Sequence, residues 1–115
     1  MQSMTPQAAA QEQLDAYNAR DLERFIKVYS DDIKVYAPPA AEPTLQGKAA
    51  FAAHYANNRF NLPALHAEVL NRIVVGNKVI DHERVTGVRD EPFEVAVVYE
   101  VVDGVIRTVW FYAAG

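Results

Sequence analysis

The second half of the sequence contains four β-rich segments joined by short turns, and this pattern constrains the fold more than any other feature. The segments span about 67–75, 78–88, 93–102 and 105–113. Asp103-Gly104 separates the last two, and Asp-Gly between β-branched runs is a strong hairpin signal. Strands joined by such short turns pair antiparallel with their neighbours. We therefore predict a meander of long antiparallel strands.

The first half shows helical patterns instead. Thr5 can cap a helix that begins at Pro6, because proline at the first helical position loses no hydrogen bond. Asp21 has the features of a second N-cap, and Leu22, Phe25, Ile26 and Tyr29 follow it at helical spacing. A short strand over 33–36 and an alanine-rich helix over 47–57 come next. Helices followed by a strand meander predict an α+β fold, in which a curled antiparallel sheet wraps around the helices as a cone.

Composition limits the partners of the chain. The 115 residues correspond to a single domain, 1–115. Eleven basic and 15 acidic residues give a net charge of −4, which argues against a nucleic-acid partner. No apolar run approaches the roughly 20 residues of a membrane helix, and no secretory signal is visible. The absence of cysteine excludes disulfides and thiolate metal sites. We expect a cytoplasmic protein without a membrane partner.

The segments 93–102 and 105–113 are largely apolar on both faces. In the first of them, Val95, Val97, Tyr99 and Val101 alternate with Ala96, Val98 and Val102. A strand of this kind is covered on both sides. One cover is the helical layer, and the other is predicted to be a second copy of the chain, which makes a homodimer through the sheet. The alternative is an exposed aromatic face.

The segment 78–88 differs, because neither of its faces is apolar throughout. Its even positions carry His82 and Arg84, and its odd positions carry Asp81 and Glu83. If one face lines an interior, it brings either the His/Arg pair or the Asp/Glu pair inside. Buried charge is costly unless it is paired, so this segment is where function is best sought. The alternative is an edge strand with both faces partly in water.

Four stretches carry a resemblance to a known family: 18–22 (NARDL), 28–36 (VYSDDIKVY), 45–48 (LQGK) and 103–110 (DGVIRTVW). With the order of elements, they resemble the nuclear transport factor 2-like superfamily, and within it the SnoaL-like and ketosteroid isomerase-like branch. The resemblance spans nearly the whole chain. It implies a cone-shaped barrel with an apolar cavity, commonly dimeric through the sheet. The superfamily includes isomerases, cyclases and non-enzymes, so the resemblance alone does not define an activity.

Matched by position, the chain keeps some isomerase residues and lacks others. Tyr29 and Tyr55 match tyrosines of the isomerase pocket. The aspartate that serves as general base falls at Ala37, the oxyanion aspartate at Val98, and the oxyanion tyrosine near Gln13. The isomerase reaction needs an ionised carboxylate and a neutral acid that holds the enolate. Without both aspartates, ketosteroid isomerisation is not expected to run as it does in the family.

The same alignment turns the even positions of 78–88 toward the cavity and nominates three catalytic residues. His82 is the candidate general base near neutral pH. Arg84 would orient a carbonyl or anionic group, and Glu100 is an alternative base. Structural interpretations stand beside these: a neutral histidine bonded to a neighbouring strand or helix, and an ion pair of Arg84 with Glu100 or Glu94. For Glu100 the structural interpretation is a partner for Arg84 or Arg107.

A pocket for a flat apolar ligand is predicted to be lined by Tyr17, Tyr29, Tyr55, Phe51, Val98, Val109 and Phe111. No metal site is expected, because the consecutive residues 81–83 alternate faces and cannot bind one ion together. No cofactor motif is present, so no cofactor is expected. The leading hypothesis is proton transfer on a hydrophobic carbonyl-bearing small molecule, as in an isomerase or cyclase. The alternatives are a non-catalytic binding module and a dimerisation module.

Overall fold

The computed structural model describes residues 4–113, in which three helices pack on one face of a six-stranded curved sheet. The helices are α1 (Pro6–Ala19), α2 (Leu22–Ile26) and α3 (Lys48–Asn58). The strands are β1 (Tyr29–Tyr36), β2 (Leu45–Gln46), β3 (His66–Val75), β4 (Lys78–Thr86), β5 (Phe93–Val102) and β6 (Val105–Ala113). The predicted α+β class and the four late strands are confirmed.

Both predicted helix caps are present. The Thr5 hydroxyl accepts a hydrogen bond from the backbone N–H of Ala8 at 3.1 Å. Asp21 Oδ1 accepts one from the N–H of Arg24, also at 3.1 Å. These side chains satisfy N–H groups that the first turn of a helix leaves without partners. Local sequence is therefore enough to set where α1 and α2 begin.

The second helix is shorter than predicted. It ends at Ile26, and Tyr29 opens a strand instead of completing a helical stripe. The reason is tertiary: β1 pairs in parallel with β6, with Tyr29 opposite Ile106. Strand pairing of this kind overrides a local helical periodicity. Residues 30–32 lie within β1 as well.

The strand order in the sheet is β2-β1-β6-β5-β4-β3. The four late strands form the predicted antiparallel meander. Strand β1 pairs with β6, and β2 and β3 are the two edge strands of the sheet. The sheet is therefore mixed, with one parallel pair, and it is not closed.

Helix α1 lies close to the sheet because small residues face it. Ala9, Ala10 and Ala16 are fully buried. Side chains this short let the helix backbone approach the strands. As a result Gln13, on the same side of the helix, is buried against the sheet. None of the helices within residues 4–113 is long and apolar enough to cross a bilayer.

The core centres on an aromatic cluster around Phe25 of α2. Its ring lies 4.9 Å from both Tyr29 and Tyr55, and it stacks on Phe51 at 5.7 Å. Phe25 is 1% exposed. Tilted and offset aromatic pairs at these distances add stability beyond the area they bury. This single side chain therefore joins α2 to β1 and α3.

We expect Phe25→Ala to lower the free energy of unfolding by about 3–5 kcal/mol, the usual cost of removing a buried phenylalanine. Urea denaturation followed by circular dichroism measures the change. The control is Tyr112→Ala at the half-exposed end of β6, which should cost about 1 kcal/mol or less. Equal losses in the two variants would contradict a core centred on Phe25.

Candidate functional site

A cavity of about 290 Å³ lies between the helices and the sheet. Four tyrosines and three phenylalanines form much of its wall, and they come from all three helices and from β1, β5 and β6. The polar side chains that also reach it are Gln13, Thr44, His54, Arg59 and Glu83. Concave sites with aromatic walls and a few converging polar groups are typical of small-molecule binding.

Glu83 of β4 is the acidic residue of this wall. It is 6% exposed, and burial raises the pKa of its carboxyl to about 7. The negative charge of nearby Asp81 raises the pKa further, while a hydrogen bond from Tyr99 and the charge of Arg72 oppose the rise. A carboxyl with this pKa is populated in both protonation states at neutral pH. It can therefore accept or release a proton under ordinary conditions.

A chain of hydrogen bonds orients this carboxyl. The Tyr99 hydroxyl donates to Glu83 Oε2 at 3.1 Å. Gln13 Nε2 in turn donates to the Tyr99 oxygen and to the carbonyl of Ala10, both at 3.0 Å. The Tyr29 hydroxyl donates to Gln13 Oε1 at 3.2 Å. Within residues 4–113 no group donates to Glu83 Oε1, so this oxygen is the one available to a ligand.

Asp81, the other acidic residue on the inner face of β4, is already neutralised. It is fully buried, and Arg72 of β3 binds both of its oxygens, at 2.7 and 3.0 Å. Arg72 also donates to Gln11 Oε1 of α1 at 2.9 Å. The two-point ion pair compensates for burial of the carboxylate. Asp81 does not reach the cavity wall, and its effect there is electrostatic.

Two tyrosines of the wall are potential hydrogen-bond donors. Burial raises the pKa of Tyr17 to about 12 and that of Tyr55 well above its ordinary value. Both phenols are therefore protonated at neutral pH. The Tyr55 hydroxyl has no hydrogen-bond partner in the described part of the chain. It can donate to a ligand oxygen without breaking an existing bond.

The expectation that His82 and Arg84 face the cavity is wrong. The odd positions of β4 point inward, and the even positions lie on the outer face of the sheet. His82 Nε2 contacts Glu94 Oε1 at 2.5 Å, and its Nδ1 lies 3.1 Å from the Asn71 amide. This is the structural alternative, a histidine bonded to neighbouring strands. Because side chains alternate along a strand, a shift of one position exchanges the two faces.

Glu100 and Val98 lie on the outer face as well, so neither lines the cavity. Glu100 accepts a hydrogen bond from the Thr108 hydroxyl at 2.9 Å and lies 3.4 Å from Lys78 Nζ. The arginine partner predicted for Glu100 is therefore wrong, since its partners are Thr108 and Lys78. The register of β5 causes the difference, because it places Glu100 opposite both Lys78 and Thr108.

Apart from Val98, the predicted lining residues divide into two groups. Tyr17, Tyr29, Tyr55 and Phe111 lie in the cavity wall. Phe51 and Val109 are buried in the core rather than in the wall. Val98 belongs to neither group, because it lies on the outer face of the sheet. In the described residues no three His, Asp or Glu side chains are grouped as metal ligands would be.

Sequence reasoning did not nominate Glu83 and Tyr99, the two residues whose hydrogen bond is central to the site. One signal was present: the odd face of 78–88 combined two carboxylates with two valines. Arg72 on the preceding strand offered a partner for one of them. Two carboxylates between two valines indicate a buried face. A single arginine can pair with only one of them, so the other carboxyl is left without an ion-pair partner.

The chain is similar to a known protein family and to several solved structures. A family model described as a SnoaL-like domain matches residues 10–109. The crystal structure of an uncharacterized cystatin-fold protein from Novosphingobium aromaticivorans has a TM-score of 0.83 and 28% identity, covering 95% of this chain and 98% of that chain. No curated protein matches the sequence at a significant level.

Two further crystal structures carry provisional enzyme names. One is a ketosteroid isomerase from Kribbella flavida, with a TM-score of 0.82 and 22% identity over 96% of this chain and 78% of that chain. The other is a polyketide cyclase from Sinorhizobium meliloti, with a TM-score of 0.77 and 20% identity over 90% of this chain and 92% of that chain. At these identities the similarity establishes the fold alone.

The raised pKa of Glu83 predicts a pH-dependent stability. Between pH 4.5 and about 7 the folded chain keeps a proton that the unfolded chain has lost. The free energy of unfolding should therefore fall as pH rises through this range, by about 3 kcal/mol from this group. Glu83→Gln should remove that fall, measured by urea denaturation from pH 5 to about 8.

The matched control is Glu91→Gln, at an exposed loop position. It should leave the pH dependence of the wild-type chain unchanged. A Glu83→Gln variant with the same slope as the wild type would show that Glu83 is not the group with the raised pKa.

Proposed function

Since the chain belongs to the SnoaL-like domain family, which confirms the resemblance seen in its sequence, we propose that it binds a hydrophobic, carbonyl-bearing small molecule and transfers a proton on it. The reaction would be of the isomerase or cyclase kind. The observation that carries the proposal is the Glu83 carboxyl, buried in an aromatic cavity with one oxygen free and a pKa of about 7.

In this mechanism ionised Glu83 takes a proton from the carbon next to the substrate carbonyl. The C–H bond breaks, its electron pair moves toward the carbonyl oxygen, and an enolate forms. The Tyr55 phenol donates a hydrogen bond to that oxygen as its negative charge develops. The protonated carboxyl then returns the proton to the same carbon or to a conjugated one. The reaction is balanced without a cofactor.

The buried hydrogen-bond chain supports the base through its orientation. Tyr99 holds Oε2, which leaves Oε1 directed to the ligand. Gln13 holds Tyr99 in turn, and both of its amide hydrogens are engaged within the protein. Gln13 and Tyr99 are therefore positioning residues, while Glu83 and Tyr55 would touch the substrate.

This proposal moves the base from where the isomerase resemblance implied it. That position is Ala37, after β1, and it carries no ionisable group. Glu83 offers a carboxyl from β4 instead. The chemical requirement, one carboxyl that can change protonation state beside hydrogen-bond donors, is met with different residues.

The volume of the cavity limits the size of the ligand. A protein cavity of roughly 150 Å³ accommodates benzene. At about 290 Å³, this cavity has room for about two six-membered rings. The aromatic wall favours a flat ligand, and the single acid–base group favours one reacting carbonyl.

The test uses 2-tetralone, a two-ring ketone, and follows deuterium exchange next to its carbonyl by NMR. The wild-type chain should accelerate the exchange above the buffer rate. Glu83→Gln should reduce the acceleration by about a hundredfold or more, because the amide cannot accept the proton. Loss of a general base commonly has effects of this size.

Two controls accompany this variant. Glu91→Gln changes an exposed carboxyl and should keep the full rate. His82→Ala tests the base favoured from the sequence, and it should also keep the rate. If His82→Ala abolishes exchange and Glu83→Gln does not, the proposal is wrong. Binding of 2-tetralone without any exchange would instead indicate a non-catalytic binding module.

We also propose that two chains associate through the outer face of the sheet. There Tyr36 and Trp110 stack at 6.2 Å with an interplanar angle of 18°. Ile73 and Val75 at the end of β3 are more than half exposed. Apolar side chains concentrated on one face are typical of a protein interface.

Sedimentation velocity should therefore give twice the 12.8 kDa chain mass. Trp110→Asp should shift the protein toward monomer, because it places a charge in the interface. Lys27→Asp, at the C-cap of α2 and away from the sheet face, is the control and should remain dimeric. A wild-type monomer at micromolar concentration would refute the association.

A further inference from the structure

Arg59 is a cation at the cavity wall that has no acidic partner among residues 4–113. It follows the last residue of α3 and is half-buried. Its Nη1 donates to the carbonyl of Asn58 at 2.8 Å. Within residues 4–113 no carboxylate lies within ion-pair distance of it. A guanidinium has five N–H donors. One binds Asn58, and a hydrogen bond to the Tyr17 hydroxyl lowers the pKa of that phenol, so donors remain for a ligand.

Other arginines of the chain are used differently. Arg24 binds Glu12 at 2.6 Å, Arg72 binds the buried Asp81, and Arg107 lies 3.5 Å from Asp32. In each case the charge has a partner within the fold. Among the arginines of residues 4–113, Arg59 is the one that lines the aromatic cavity between the helices and the sheet. A planar guanidinium in such a place matches the two oxygens of a carboxylate.

Arg59 and Glu83 line the same cavity as the aromatic pair Tyr17 and Tyr55. The rings of Tyr17 and Tyr55 are 6.4 Å apart and meet edge to face. The positive charge of Arg59 lowers the pKa of both phenols, while the negative charge of Glu83 raises it. Arg59 is not among the groups that shift the pKa of Glu83. Both charged groups therefore act on the same two tyrosines of the wall.

His54 adds a second donor beside Arg59. It lies on α3 and also reaches the cavity wall. Burial and the positive charge of Arg59 lower its pKa, so the imidazole is neutral at neutral pH. Its Nδ1 faces the Asn58 amide at 3.4 Å. With Nδ1 as the acceptor, Nε2 carries the hydrogen and can donate to a ligand.

We propose that the ligand of this cavity is an acid, whose carboxylate is held by Arg59 and His54 while its apolar rings lie against Tyr17 and Tyr55. This inference deepens the proposed function and rests on it for the position of the reacting carbonyl, which lies beside Glu83 at the other end. The substrate class is then a flat one- or two-ring keto acid. Arg59 is a specificity-determining residue, not a proton-transfer group.

The charge of the cavity wall near Arg59 favours an acid over a neutral ligand. The chain carries a net charge of −4, which disfavours anions in general. A cation without a partner in a partly desolvated site offsets this locally, because electrostatic attraction is stronger where water is excluded. A ligand without a negative charge would leave the half-buried guanidinium without a counter-charge, whereas a carboxylate supplies one.

The test compares two isosteric probes, naphthalene-2-carboxylate and naphthalene-2-carboxamide, by isothermal titration calorimetry. The wild-type chain should bind the carboxylate about tenfold more tightly or better, as expected for a hydrogen bond between charged groups. Arg59→Gln should abolish this preference and leave the affinity for the carboxamide within about twofold. The preference in the wild type should also decrease with added salt.

Two further variants separate the binding role from folding. Arg59→Lys keeps the charge without the planar fork and should retain part of the preference. Arg107→Gln removes a comparable charge from the outer face of the sheet and should retain all of it. Thermal melting of each variant checks that the fold is intact.

Three results would overturn the inference: equal affinity of the wild type for both probes, an unchanged preference in Arg59→Gln, or no binding of either probe at about 1 mM. The 2-tetralone experiment tests the proposed function separately from the Arg59 site, because 2-tetralone has no carboxylate and does not need Arg59 for binding. Carboxylate preference without Glu83-dependent exchange would leave the Arg59 site intact and refute proton transfer. Exchange without carboxylate preference would refute the Arg59 site alone.

Discussion

Burial of two carboxylates on the inner face of β4 is the constraint on which the site depends. Removing a carboxylate from water is costly, so a strand that turns Asp81 and Glu83 inward needs compensation on that face. Arg72 on β3 compensates Asp81 with two hydrogen bonds. Glu83 receives less, a single hydrogen bond from Tyr99. The unequal compensation is why one carboxyl serves the structure and the other is able to change protonation state.

The aromatic core and the cavity are built from the same side chains. Phe25 packs against Tyr29 and Tyr55, and these tyrosines present their other surfaces to the cavity. Rigid rings can form a stable core on one side and a defined hollow on the other, because they have few rotatable bonds. The cavity therefore follows from how the helices pack on the curved sheet.

Under the proposed function, the fold is kept while the acid–base group changes position. Its family and architecture agree with a broad group of related structures. The position that the resemblance matches to the isomerase base holds Ala37, whereas the acidic group of the cavity wall comes from β4. Function in such folds depends on the site and not on the architecture. A cone with a helical cover offers several wall positions from which a carboxyl can reach one ligand.

The sequence by itself determined the α+β class, the two helix caps, the four late strands and their antiparallel order. These features depend on local signals, such as Thr5 and Asp21 as caps and Asp103-Gly104 as a hairpin turn. It also restricted the chemistry to one strand with two possible faces. Which face is inside was decided only by tertiary structure, because strand alternation assigns all side chains together and depends on partners distant in sequence. Tyr99 lies 16 residues from Glu83 and 86 from Gln13, and Arg72 lies nine from Asp81. Only the folded sheet and helix bring these groups together, so the inward orientation of Glu83 could not be obtained from the pattern along β4 alone.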